Sequence, residues 1–207
     1  MKKTAVLLDL GFVLHRLYRL LDKRPATASE VHDFAGRCVR AEDEELFRIY
    51  CYHCHPYDGC QVHPVTKAVV DFSASAAFAA GNRLIRELSL KNNVAFRAGE
   101  LSFDGWTISN YTAQKIAKSG RGVVAADFRP DLKQKRVDMK IGLDVAWLAS
   151  KGIVERIVLV TGDSDFVPAL KFARREGVQV VLVTMGETKV KHDLLVHADE
   201  LRSVAFP

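Results

Sequence analysis

The run Thr161-Gly162-Asp163-Ser164-Asp165-Phe166 sets two carboxylates either side of one hydroxyl, directly after the apolar stretch Ile157-Val158-Leu159-Val160. Carboxylates that close repel: at about 5 Å and an effective dielectric near 20, two unit charges cost roughly 3 kcal/mol. A hard divalent cation relieves that cost, and Mg²⁺ and Mn²⁺ prefer oxygen ligands. The same letters also serve turn chemistry, because Gly accepts positive φ and Asp or Ser side chains cap helices by bonding backbone amides. Two further aspartates tip the balance toward the cation. Asp9 ends the short apolar run Thr4-Ala5-Val6-Leu7-Leu8, and Asp138 precedes a segment in which Ile141, Val145 and Leu148 recur at helical spacing. Asp138 is therefore expected at or near that helix's N-cap. Asp144, six residues on and about 240° around the helix, is assigned a supporting or structural role. Thr161 and Ser164 are candidates for holding a coordinated water or a phosphate oxygen, with capping of the helix that begins near Phe166 as the competing role.

The elements that must position these residues can be read from the hydrophobic pattern. Residues 157–160 carry no charge and read as a strand buried on both faces, the mark of an interior strand of a parallel sheet. Open α/β sheets bind ligands outside the carboxyl ends of their strands, which is where Asp163, Asp165 and Asp9 fall. Residues 47–54 read as a second parallel strand, and the stretch after Gly11 as a first helix. Residues 56–72 form a connection too long for a tight turn. Ser73 is the expected N-cap of a helix carrying Ala77, Phe78, Leu84, Ile85 and Leu88. Residues 94–103 and 106–108 suggest a strand and a hairpin turned at Asp104-Gly105, a small β extension over the substrate path. Gly120, Gly122 and Pro130 suggest a flexible approach to the basic segment 133–140. A helix over 170–175 stopped by Gly177, a strand over 178–183, a helix around 189–197 and a last strand near Val204 complete the alternation. With 207 residues, 48% of them hydrophobic, the chain suits one domain over 1–207.

A formal charge of +5 favours an anionic partner. Lys133, Lys135, Arg136 and Lys140 crowd beside Asp138 and are the candidate phosphate guides, with a solvated basic loop as the alternative. Arg121 and Arg129 extend that track, and Trp106, Tyr111 and Phe128 would stack on bases if exposed. No run is long enough to cross a bilayer, and the first strand is too short and too soon charged for a secretion signal, so a cytoplasmic protein without a membrane partner is expected. Cys51-x-x-Cys54 and Cys60-x-x-His63 have zinc-knuckle spacing. On a strand, however, Cys51 and Cys54 point to opposite faces, so reduced thiols are the default and zinc the minor reading.

Asp9 closing the first strand, Lys135-x-x-Asp138 followed by Asp144, the Thr161 to Phe166 run, and Leu194-Leu195 with Ala198-Asp199-Glu200-Leu201 near the end together resemble the NYN domain, the LabA-like or DUF88 family of PIN-like ribonucleases. The resemblance implies an α/β fold, a three-layer PIN-like, Rossmann-like sandwich with a central mainly parallel sheet. It also implies a metal-dependent endoribonuclease, using Mg²⁺ or Mn²⁺ at Asp9, Asp138, Asp163 and Asp165, which serve both as catalytic residues and as metal ligands. Its substrate would be RNA, with single strands favoured and DNA left open, as is assembly into a homo-oligomer. One departure stands out: the family commonly has an Asn a few residues after the first Asp, whereas this chain reads Asp9-Leu10-Gly11-Phe12-Val13. That absence feeds a rival, a nucleic-acid-binding or regulatory module of the same fold that cuts weakly or not at all. A phosphohydrolase of small esters fits less well, because Asp9-Leu10-Gly11 lacks a second Asp two residues on.

Overall fold

The computed structural model describes residues 1–188 and 190–205. Strand β1 (Lys2–Asp9) runs into helix α1 (Leu10–Leu20), and α2 (Ala28–Arg37) returns the chain to β2 (Glu44–Cys54). A small hairpin of β3 (Cys60–Val62) and β4 (Val69–Asp71) precedes α3 (Ala76–Ser89), β5 (Val94–Ile108) and α4 (Asn110–Ser119). Then come β6 (Phe128–Lys135), α5 (Val137–Ser150), β7 (Arg156–Val160), α6 (Val167–Arg175), β8 (Gln179–Val183), α7 (His192–Val196) and β9 (Glu200–Leu201). The described residues form a seven-stranded sheet in the order β6-β5-β2-β1-β7-β8-β9, parallel throughout except for the β5–β6 pair.

Alternation along β1 builds both faces at once. Ala5 and Leu7 join Tyr52, Ile141 and Val145 of α5 and Leu170 of α6 in one core. Val6 and Leu8 join Val13 and Leu17 of α1, Phe34 of α2 and Leu88 of α3 in the other. The sheet is thus the middle of three layers, and its central strands are unbroken apolar runs because neither face meets water. Residues 157–160 of β7 are buried, as the uncharged run predicts, and so is Arg156 ahead of them. Strand β1 lies between β2 and β7; α1, which comes after β1, covers one face, while α6, which comes after β7, covers the other. The chain's winding therefore reverses between β1 and β7, and a crevice opens where their carboxyl ends part.

Several local expectations give way. Residues 94–108 form one continuous strand with an irregularity between Phe103 and Trp106, and its partner is β6, so the region predicted as a hairpin and a loop is an antiparallel edge of the main sheet. Gly105, at φ 115°, absorbs the irregularity within the strand instead of turning the chain back. Ser75, not Ser73, caps α3, its Oγ accepting from the Phe78 amide at 3.1 Å, while Asp71 binds the Ser73 amide. Two further helices form: α2, opened by a reciprocal Thr27–Glu30 capping box and burying Ala28, Val31, Phe34 and Ala35 at helical spacing, and α4, which buries no residue and so carries no apolar stripe to announce it. The last strand falls at Glu200–Leu201, ahead of Val204, and of the helix expected around 189–197 Lys189 lies outside the described residues. Among the described residues no helix is long and apolar enough to cross a membrane.

Candidate metal centre and nucleic-acid cleft

Asp9 is the last residue of β1 and the N-cap of α1, its Oδ1 accepting from the Phe12 amide at 3.3 Å. Its other oxygen accepts from Thr161 Oγ1 at 3.1 Å, and the same hydroxyl oxygen accepts from the Asp163 amide at 3.2 Å. Thr161 is fully buried between the two strand ends, so one hydroxyl ties the carboxylate of β1 to the backbone beyond β7. Asp163 in turn accepts from the Asp165 amide at 3.0 Å and opens a short 3₁₀ turn over Ser164–Phe166. Capping there belongs to Asp163 rather than to Thr161 or Ser164, and Ser164 faces the crevice. The capping and ligand roles that competed in the sequence are thus combined: a carboxylate that accepts one amide hydrogen bond at a cap keeps oxygen lone pairs for a cation.

Asp138 arrives from the other side. It occupies the second position of α5 rather than the cap; Arg136, in the left-handed region at φ 68°, makes the sharp entry from β6. Burial at the crevice and the nearby Asp163 and Asp165 hold its carboxyl above the ordinary aspartate value. Asp9 is likewise pushed up, chiefly by burial, against the pull of the Phe12 amide and the Thr161 hydroxyl and with the charges of Asp138 and Asp163 adding to it. Asp9 is thus within electrostatic reach of Asp138 and Asp163, and Asp138 within reach of Asp163 and Asp165, although Asp9 lies more than a hundred residues from the other three. Among the described residues, no three acidic, His or Cys side chains converge closely enough to ligate one ion together. The all-oxygen donors still fit Mg²⁺ or Mn²⁺, which keep several waters and take only one or two carboxylates directly.

Asp144 has a different occupation. Buried on the inner side of α5, it accepts from Tyr52 Oη at 2.9 Å and from Arg97 Nε at 2.8 Å, bracing the helix against β2 and β5. The four cations expected to guide phosphates are also partly engaged. Lys133 reaches Asp104 at 2.9 Å and Asp131 at 3.5 Å, Lys135 reaches Asp104 at 3.7 Å, and Arg136 pairs with Glu100. Lys140, one turn along α5 from Arg136, has no ion pair among the described residues. Trp106 donates to the Val62 carbonyl at 3.0 Å and packs with His63, Phe72 and Phe103, so it anchors the β3–β4 hairpin instead of offering a free face. Phe128 packs against His63, whereas Tyr111 on α4 is exposed. The zinc-like spacing also dissolves: Cys51 belongs to one core and Cys54 to the other, and burial pushes the Cys51 thiol up to about 12.

Two features escaped the sequence. Gln134, on β6, brings its amide over Gly11, where Asp9 also lies: a Cβ built on Gly11 would stand 3.4 Å from Asp9 Oδ1 and 3.5 Å from both amide atoms of Gln134. His53, at the end of β2, lies 3.4 Å from the same amide. An amide thus reaches the site from the far edge of the sheet, which only the strand order could reveal. The second is a cavity of about 560 Å³ that starts at Asp9 and Asp163 and runs along α1, lined also by His15, Arg19 and, from the connection after β8, Lys191. Asp138 and Asp165 stand outside its wall. On a helix begun by Asp9, positions 12, 15 and 19 share a side, a signal the sequence holds once the helix register is drawn.

A protein of unknown function from Vibrio parahaemolyticus, known from its crystal structure, aligns with 97% of this chain and 91% of its own at 17% identity and a TM-score of 0.49. An uncharacterized protein of Methanocaldococcus jannaschii is 26% identical over 76 residues, which are 37% of this chain and only 30% of that relative. The model of the NYN domain matches residues 61–205. That span holds Asp138, Asp163 and Asp165, while Asp9 lies ahead of it and enters the cluster on geometry. By a match covering most of its length, the chain belongs to the NYN domain family, whose members are generally nucleases of the PIN-like kind.

Proposed function

We propose that the protein is a divalent-metal-dependent endoribonuclease acting on single-stranded RNA, and that residues 1–207 work as one unit, with Asp9 and Asp163 from distant parts of the chain serving one crevice. The observation that carries this reading is the Thr161 bridge: it fixes the carboxylate of Asp9 beside Asp163 at the switch point of the sheet, where Asp138 and Asp165 add their charge. Asp9 and Asp163 would hold Mg²⁺ or Mn²⁺ directly, and Asp138 and Asp165 through water. When bound, such an ion neutralises charge on the scissile phosphate and lowers the pKa of the attacking water. Asp138 would then accept the attacking water's proton on a carboxylate oxygen, a role that its raised carboxyl suits because proton transfer is most effective when the two pKa values approach. The Gln134 amide, beside Asp9 and over the side-chain-free Gly11, holds a phosphate oxygen in place and supplies from β6 the amide missing after Asp9. Lys140 meets the phosphate on the α5 side, with Lys133, Lys135 and Arg136 available only after exchange of their carboxylate partners.

One observation favours the rival module that binds without cutting, namely that no three ligating side chains converge among the described residues. Incubation of end-labelled single-stranded RNA with Mn²⁺, beside an Asp163→Asn variant, decides between them. Internal cuts that need the metal and vanish in the variant support the nuclease. Tight binding with no metal-dependent products supports the module.

A further inference from the structure

We propose that the substrate's phosphate backbone leaves the acidic crevice along α1, and that Arg19, Lys191 and His15 form a phosphate-binding track of their own; this rests on the nuclease reading above. The cavity that begins at Asp9 and Asp163 runs down the outer side of α1 as far as Arg19. At 1.5 Å per residue the ten residues from Asp9 to Arg19 cover about 15 Å, so Arg19, with the His15 ring one turn before it, addresses phosphates beyond the one being cut. Lys191 faces them from the connection after β8.

Charge makes this channel different from the β6 edge. Its wall also contains Glu187, but Arg16 meets that carboxylate at 3.1 Å and donates to the Met185 carbonyl at 2.8 and 3.2 Å, which answers the acid and pins the wall to α1. Arg19, Lys191 and His15 are exposed and, among the described residues, have no ion-pair partner. Lys133, Lys135 and Arg136 must first give up Asp104, Asp131 or Glu100. Cations free of carboxylates gain the full counterion release of each phosphate they neutralise, whereas paired ones exchange one anion for another. The ligand is thus a polyanion, single-stranded on the nuclease reading: the channel is open to solvent, and only Phe12, whose ring rests against Gly162, offers it an apolar side chain.

The test measures anisotropy of a fluorescent oligouridylate against salt, with Ca²⁺ replacing Mg²⁺ and gels run to confirm the strand stays intact. The double variant Arg19→Ala/Lys191→Ala should bind roughly ten-fold more weakly at low salt, and its log–log salt slope should fall by about 1.4, at ~0.7 for each single-strand phosphate no longer neutralised. Lys133→Ala/Lys135→Ala should lower the slope by less than half as much. Both pairs are exposed, so unchanged melting temperatures verify folding. If wild type binds and cuts RNA while the Arg19/Lys191 pair leaves the slope unmoved, or the β6 pair lowers it more, the track is wrong and the nuclease reading stands. If wild type shows no salt-dependent affinity for the strand, both fall together.

Discussion

Asp138 is held charged in a place that disfavours charge. Burial and two neighbouring carboxylates raise its carboxyl above the ordinary aspartate value, which means that the ionised form destabilises the metal-free fold at neutral pH. Asp138→Asn should therefore leave the metal-free melting temperature unchanged or slightly raised, the carboxylate being exposed, while lowering Mn²⁺-dependent cleavage roughly 10²- to 10⁴-fold, as expected for loss of a general base. A variant that melts lower, or that cleaves normally, would remove Asp138 from the site. The raised carboxyls of Asp9 and Asp138 also predict how metal affinity depends on pH. Protons compete for these oxygens above the usual aspartate range, so calorimetric Mn²⁺ affinity should weaken on acidification before a normal aspartate would begin to titrate. An affinity constant down to that range contradicts the coupling. The aspartates were legible in the sequence because each ends a strand or starts a helix, positions that spacing marks. Gln134 was not, since its neighbour Asp9 lies 125 positions away and three strands across the sheet. Gln134→Ala should reduce cleavage about ten-fold, with Gln134→Asn no better because the shorter side chain withdraws its amide from the space over Gly11.

The junction of β6 and α5 decides where Asp138 points. Here Gly99 of β5 is required by close approach: a Cβ would stand 2.6 Å from Val137 Cγ2, 2.9 Å from the Lys135 carbonyl and 3.0 Å from Cys54 Sγ. Gly99→Ala must push the first turn of α5 outward, carrying Asp138 with it. Overpacking of this kind costs about 1–3 kcal/mol, and the expected result is a lower denaturation midpoint together with reduced kcat/KM but retained RNA binding. Unchanged cleavage in a destabilised variant would show that Asp138 tolerates displacement. The middle of an interior strand such as β7, residues 157–160, could be read from composition alone, because burial on both faces leaves no room there for an unpaired charge. The β5–β6 edge could not: an edge strand carries Pro130 and four charges, and reads as a loop until its partner is known.

Stability and chemistry lie at opposite ends of the sheet. At the amino ends of β2 and β7, Glu44 is buried between Arg156 and Arg202, and Arg202 also donates to the Cys38 carbonyl at 2.6 Å, tying the last strand to the first half of the chain. Burial alone would lift the Glu44 carboxyl, yet Arg202, the Arg40 amide and Arg156 hold it at about 2, down from 4.5. A depressed carboxyl contributes stability that is complete above about pH 4.5 and is lost as the pH falls toward 2. Glu44→Gln should lose about 3 kcal/mol at neutral pH, the usual cost of breaking a buried pair, and show a flatter stability profile across that acid window; a profile as steep as wild type would mean that another group carries the transition. This clamp was invisible in the sequence because Glu44 lies more than a hundred positions from either arginine, and burial rather than spacing joins them. The opposite end carries the functional claim, that aspartates from three stretches of the chain share one divalent ion. The most direct measurement is anomalous diffraction at the manganese edge from crystals soaked in Mn²⁺. A peak within ligating distance of Asp9 and Asp163, diminished in Asp163→Asn, is the predicted result. An empty crevice at saturating Mn²⁺, in crystals of protein that cleaves RNA in solution, would contradict it.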